Sequence, residues 1–154
     1  MLLFKGVFFV EYGKIVGMRI SQLRLSNFRN ISVFAMAIPE AENGQIIGVF
    51  GENGAGKTSV LEALSFLSPG KGLHRSKPDE VGHYGAKEWG LYAKTGHETE
   101  IWRTFSGQNR KPVDKSGHVA SQGRGGSSQG WKLRIDGDEN AKQSSLTSIG
   151  NIMW

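Results

Sequence analysis

Eight consecutive residues, Gly51, Glu52, Asn53, Gly54, Ala55, Gly56, Lys57 and Thr58, match the spacing G-x-x-x-x-G-K-S/T. The chemistry served by this pattern is the holding of a polyphosphate. A triphosphate is wrapped at close range by backbone N–H groups, and glycine allows the required backbone angles without a Cβ in the way. Gly51, Gly54 and Gly56 meet that need, with Glu52, Asn53 and Ala55 offering further backbone contacts. Lys57 places a point charge on the β- and γ-phosphates, and the Thr58 hydroxyl is a ligand for the Mg²⁺ that travels with the nucleotide. A helix opening here adds the positive end of its dipole.

Such a loop needs a strand before it and a helix after it. Gln45, Ile46, Ile47, Gly48, Val49 and Phe50 form the almost unbroken apolar run of a strand buried on both faces. Beyond the loop, Val60, Leu61, Leu64 and Leu67 recur at helical spacing, with Glu62 and Ser65 off that stripe. In a chain this rich in glycine, lysine, serine and threonine, random order gives the bare pattern with a chance of roughly three in a hundred, so the context must decide. The order strand, glycine loop, helix decides for a nucleotide site over a plain glycine turn.

The rest of the chain supplies strands. Ile20, Leu23 and Leu25 alternate with Ser21, Gln22, Arg24 and Ser26, which predicts a half-buried strand. Asn27, Phe28, Arg29 and Asn30 make a turn, and residues 31–38 a second strand, closed by Pro39 and a polar turn at 40–44. This pair is expected as a hairpin flanking the phosphate-loop strand. Pro69, Gly70 and Gly72 stop the helix, and a surface loop is expected as far as Lys87. Residues 89–94 and 98–105 predict another hairpin, turning at Thr95, Gly96 and His97. Residues 106–130 change abruptly to glycine, serine and glutamine with scattered base, the composition of a disordered loop. Arg110, Lys111, Lys115 and Arg124 within it read as a solvated linker ahead of a DNA contact. A strand at 131–135, a turn at Asp136 and Gly137, a short helix at 144–149 and the beginning of a strand at 151–154 complete the pattern.

With 154 residues and 38% apolar content, the chain holds one domain and no second. The absence of cysteine excludes a disulfide scaffold and a thiolate metal site, and suits a reducing cytoplasm. Nineteen Lys and Arg against fourteen Asp and Glu give a net charge of +5, which favours polyanionic partners. His74, His83, His97 and His118 are scattered through loops without ligand spacing and read as surface residues. Residues 1–17 carry an apolar run, Val7, Phe8, Phe9 and Val10, hemmed in by Lys5 and Glu11. The run is too short to span a bilayer and lacks the order of a signal peptide. The segment reads as an N-terminal extension ahead of Met18, an over-long start being the simpler explanation, with the domain proper at residues 18–154.

A family resemblance covers residues 18–154. It is carried by Leu23, Arg24, Leu25, Asn27, Phe28, Arg29, Asn30 and Ile31, then the phosphate loop, then Leu61, Glu62 and Leu64, and then Ser68, Pro69, Gly70, Lys71, Gly72, Leu73, His74 and Arg75. The strand and turn at 131–137, with Met153 and Trp154, also match. The chain resembles the RecF family of bacterial DNA replication and repair proteins. The resemblance implies a mixed α/β fold: a P-loop NTPase of the ABC/SMC ATPase-head type, here an N-terminal lobe with antiparallel strands, truncated relative to the family. It implies ATP and Mg²⁺ as cofactors, with two heads closing on two ATP molecules as a homodimer. It further implies cytoplasmic work on single-stranded and gapped DNA at single-strand/double-strand junctions, with RecR and RecO, in support of RecA loading and the SOS response. Arg29 either reaches the nucleotide, as a related basic residue does in SMC-like heads, or is an exposed turn arginine.

Two departures bear on activity. Nothing reads as four apolar residues ending in an acidic pair, and nothing reads as Leu-Ser-Gly-Gly. Leu133, Arg134, Ile135 and Asp136 come nearest, interrupted by Arg134, so no catalytic residue is assigned and hydrolysis by this chain alone is not expected. Ser59 stands where related sequences often carry asparagine. The alternative readings are an N-terminal fragment of another ABC or SMC-like ATPase, including a transporter motor, and an inactive nucleotide-binding remnant.

Overall fold

A computed structural model describes residues 4–12, 19–39, 44–106 and 130–149. The elements in chain order are β1 (Phe4–Tyr12), β2 (Ile20–Phe28), β3 (Ile31–Ala37), β4 (Gly44–Gly51), α1 (Lys57–Ser65), α2 (Pro78–Val81), β5 (Glu88–Thr95), β6 (Glu100–Ser106) and β7 (Gly130–Ile135). A turn of 3₁₀ helix (Gln143–Ser145) leads into α3 (Leu146–Ile149). The strands form a five-stranded antiparallel sheet ordered β3-β2-β5-β6-β7 and a separate antiparallel pair, β1-β4. The mixed α/β class with antiparallel strands is as the sequence led one to expect.

Side-chain alternation sets the inner face of the larger sheet. Leu23 and Leu25 point inward and Arg24 outward, and Asn27, at φ 50, interrupts the alternation so that Phe28 also turns in. The central strand β5 contributes buried Trp89, Leu91 and Ala93, and β6 contributes Ile101. Onto this face α1 and the residues after it lay Val60, Ala63, Phe66 and Leu67, with Leu146 of α3 joining them. Phe28 is the hub, edge-on to Trp89 at 5.4 Å and to Phe66 at 6.0 Å. Burial of each such side chain contributes about 1.5–3 kcal/mol, which holds a nine-residue helix that would not persist alone.

Three expectations need correction. The β2-β3 hairpin forms, with Phe28 opposite Ile31, but it does not flank the phosphate-loop strand. β4 pairs instead with β1, Val49 opposite Val7 and Gln45 opposite Glu11, so residues 4–12 of the N-terminal extension lie in a sheet. Nor is β4 buried on both faces, since Ile46 and Phe50 are exposed and Ile47 and Val49 half-buried. The apolar face of α1 is occupied by the five-stranded sheet and is not available to cover β4. The helix stripe is also rotated: Glu62 and Ser65 are buried, while Leu61 is 46% exposed. The reason is an arginine beneath the helix, described below.

The stretch after α1 is more than a surface loop. The Ser65 hydroxyl accepts the Leu73 amide at 2.7 Å, Val81 of α2 is fully buried, and Gly82 bridges to Phe28. The hairpin at β5 and β6 pairs Lys94 with Glu100, and the helical turns at 143–149 fall where the sequence set them. Most of the expected 106–130 loop lies outside the described residues, with its four basic residues and His118, as does the strand start at 151–154. Ser106 and Gly130 pair with each other at its two ends. No helix among the described residues is long and apolar enough to cross a membrane.

Candidate nucleotide-binding site

Gly51 ends β4, and the chain turns so that the Ala55 amide donates to the Glu52 carbonyl at 3.1 Å. Gly54 and Gly56 then take φ of 82° and 91°, the left-handed region, where an L side chain is strained. Gly56 is the N-cap of α1, its carbonyl accepting the Val60 amide at 3.0 Å as the first bond of the helix. The loop therefore delivers a helix N-terminus into the concavity it encloses. The Lys57 ammonium bends back over the loop and donates to the carbonyls of Gly51 at 2.9 Å and Glu52 at 2.7 Å. It thus sits where a phosphate oxygen can replace those carbonyls. The Thr58 side chain is exposed at the same mouth.

The turn between β2 and β3 is fastened to this loop. The Asn30 side-chain amide donates to the Gly54 carbonyl at 2.6 Å, and its oxygen accepts the Ser59 hydroxyl at 2.7 Å. One residue earlier, Arg29 adopts φ 53 and turns its guanidinium toward α1. Its Nε and Nη2 donate to the two carboxylate oxygens of Glu62 at 2.8 and 2.5 Å, its Nη2 also reaches the Ser76 hydroxyl at 2.5 Å, and Nη1 donates to the Glu80 carbonyl at 2.8 Å. Glu62 is only 3% exposed, and its hydrogen bonds hold Arg29 above the ordinary arginine pKa. This pairing is why a carboxylate faces inward on α1.

An open cleft of about 700 Å³ separates the loop from the 80–84 stretch. Of the sequence-identified residues, Arg29, Asn53, Gly54, Gly56, Lys57 and Thr58 line it, while Gly51, Glu52 and Ala55 form the base of the loop behind them. The opposite wall carries Glu80, His83 and the 89% exposed Tyr84. Backbone amides, an ammonium and a hydroxyl at one helix N-terminus fit a nucleotide polyphosphate and its Mg²⁺. Sequence reasoning missed Asn30 and Glu62. Asn30 left a signal in its place at the tip of a turn, but the Glu62 partner lies 33 residues upstream. Asp136 is a turn residue at the end of β7, where its carboxylate accepts the Glu100 amide at 2.7 Å. Among the described residues no cluster of His, Asp or Glu is placed to hold a metal by itself.

Known proteins resemble this chain in sequence and in fold. The AAA domain family matches residues 22–151. The DNA replication and repair protein RecF of Agrobacterium fabrum is 42% identical over 140 residues, covering 88% of this chain and 32% of the relative. RecF of Rhizobium meliloti is 41% identical over 135 residues, and that of Brucella suis biovar 1 is 32% identical over 135, with 88% of this chain covered in both and 32% and 30% of the relatives. The chain thus spans about a third of the length of the curated relatives it matches. Among solved structures, the recombination mediator protein RecF-ATP of the RecFOR pathway superposes with a TM-score of 0.59 at 16% identity, covering 84% of this chain and 30% of that one. The RecF-ATPrS structure gives 0.56 at 15%, covering 88% and 31%, and at these identities the likeness is one of fold. The chain belongs to the AAA domain family and, across most of its length, is homologous to the DNA replication and repair protein RecF.

Proposed function

We propose that the chain is the ATP-binding lobe of a RecF-type DNA replication and repair protein, holding ATP and Mg²⁺ at residues 51–58. In that role it acts in the cytoplasm on single-stranded and gapped DNA, in support of RecA loading and the SOS response. Its partners on this reading are a second copy across the nucleotide, RecR and RecO. The observation that carries the reading is the left-handed Gly56 opening α1 beneath the folded-back Lys57. Phosphate oxygens are stronger acceptors for an ammonium than neutral carbonyls, because the hydrogen bond gains charge assistance on both sides. Lys57 therefore moves from Gly51 and Glu52 to the phosphates when nucleotide enters. Bound Mg²⁺ neutralises phosphate charge, with Thr58 as its protein ligand. Neighbouring Asn30 occupies the Gly54 carbonyl with a hydrogen bond, and the amides of the loop are the groups left to meet the phosphates.

Titration of the full chain with a fluorescent ATP analogue and Mg²⁺ tests this. Saturable binding is expected for the wild type, with at least a tenfold loss for Lys57→Ala, the scale of one charge-assisted contact. Equal affinity in the two proteins would refute the assignment.

A further inference from the structure

Four cations, Lys71, Arg75, Lys77 and Arg103, line a second cleft of about 520 Å³, between the 70–77 loop and β6, and no carboxylate stands among its described lining residues. An adjoining cavity of about 530 Å³ shares Gly70, Lys71 and Arg75 with it, so the two flank the same stretch of the loop and are treated together as one groove. Arg103 is 3% exposed, its guanidinium 6.0 Å above the Phe66 ring, and burial lowers its pKa to about 10.

The loop is held in shape. Gly72 takes φ 75, and a Cβ there would lie 3.0 Å from both the Phe66 ring and the Ser65 hydroxyl. Arg75 itself sits at φ 50, an unusual conformation for a bulky residue, and Gln143 donates to the Gly70 carbonyl across the mouth. Lys71, Arg75 and Lys77, brought to one cleft by this backbone, repel one another, and the approach of an anion relieves that repulsion.

We propose that this groove is a phosphodiester site, taking the backbone of a nucleic-acid strand at a place separate from the nucleotide cleft. The inference rests on the DNA-repair reading above. The choice of a strand over a free nucleotide follows from the shape and the lining. Lys71, Arg75 and Lys77 are exposed and strung along the open groove, and no described lining residue is aromatic, so there is no platform for a base. Contacts of this kind position a strand without reading its sequence. Ser76, between two of the cations, is hydrogen-bonded to Arg29 and Glu62, so one ion pair borders both sites.

The test is fluorescence anisotropy of a labelled mixed-sequence oligonucleotide, single-stranded and duplex, on the full chain between about 50 and about 200 mM salt. The variant combines Lys71→Ala, Arg75→Asn and Lys77→Ala, asparagine being chosen because it tolerates the left-handed region. Its affinity is expected to fall at least tenfold and the salt slope to become shallower by about 2 to 3 units, since each lost phosphate contact is worth about 0.7 to 0.9. Arg75→Lys alone retains the charge and the slope, and ATP-analogue affinity stays within about twofold of wild type in both variants. An unchanged slope in the triple variant, with the wild type binding normally, overturns the groove and leaves the DNA-repair reading standing. Absence of oligonucleotide binding by the wild type at the lowest salt overturns both. Loss of the ATP analogue by the triple variant also overturns the groove, because the substitutions then act through the nucleotide cleft.

Discussion

At the scale of single residues, the Arg29 and Glu62 pair fixes how α1 is turned. A carboxylate at 3% exposure is tolerable because two guanidinium nitrogens meet its two oxygens. Removing the arginine leaves that charge buried and unopposed. Arg29→Ala is therefore expected to lower stability by about 3 kcal/mol, read as a fall in the midpoint of chemical denaturation. A change below about 0.5 kcal/mol would mean that the pair is peripheral. The sign of the pH effect follows from the direction of the shift. Because the folded pKa of Arg29 lies above its unfolded value, its contribution is fully present below the unfolded value and fades only as pH rises through the folded one. The arginine therefore adds no pH dependence between about pH 6 and about pH 9. The phosphate-loop residues were legible in the sequence because their chemistry is local, a matter of backbone angles and one ammonium. The inward turn of Glu62 was not, because it depends on a residue that the fold brings from the β2-β3 turn. For the same reason Arg29 lines the cleft with most of its donors already committed to Glu62, Ser76 and the Glu80 carbonyl.

Among the elements, the loop and α1 are a rigid unit whose third support is the β2-β3 turn. Asn30 spans it, taking the Ser59 hydroxyl and giving to the Gly54 carbonyl. Asn30→Ala should weaken binding of the ATP analogue by about three- to tenfold, about the worth of one hydrogen bond, while shifting thermal stability little. Unchanged affinity would show that the loop holds its shape unaided. The order strand, loop, helix was readable from periodicity, as were the two hairpins and the short helix near residue 146. Which strand lies beside which was not. Alternation gives each strand its inner face, but Ile46 and Phe50 read as interior residues whatever covers them, and the partner of β4 comes from residues 4–12, where the sequence pattern is weak.

Across the whole molecule, the two sheets are unequal. The larger one carries the core, with β5 flanked by β2 on one side and β6 on the other. The strand that delivers the phosphate loop belongs to the smaller one and has a single neighbour among the described residues. In an antiparallel pair, successive amides point alternately toward the partner and away from it. Amide hydrogen exchange should register that geometry directly. Along residues 45–50, every second amide is expected to exchange slowly and the intervening ones quickly, whereas β5 is slow throughout. A uniformly fast β4 would mean that β1 does not hold its place beside it. If the alternation is found, the base of the nucleotide site is open along one edge to solvent exchange, and the loop it carries is secured by Asn30 and α1 more than by the sheet beneath it.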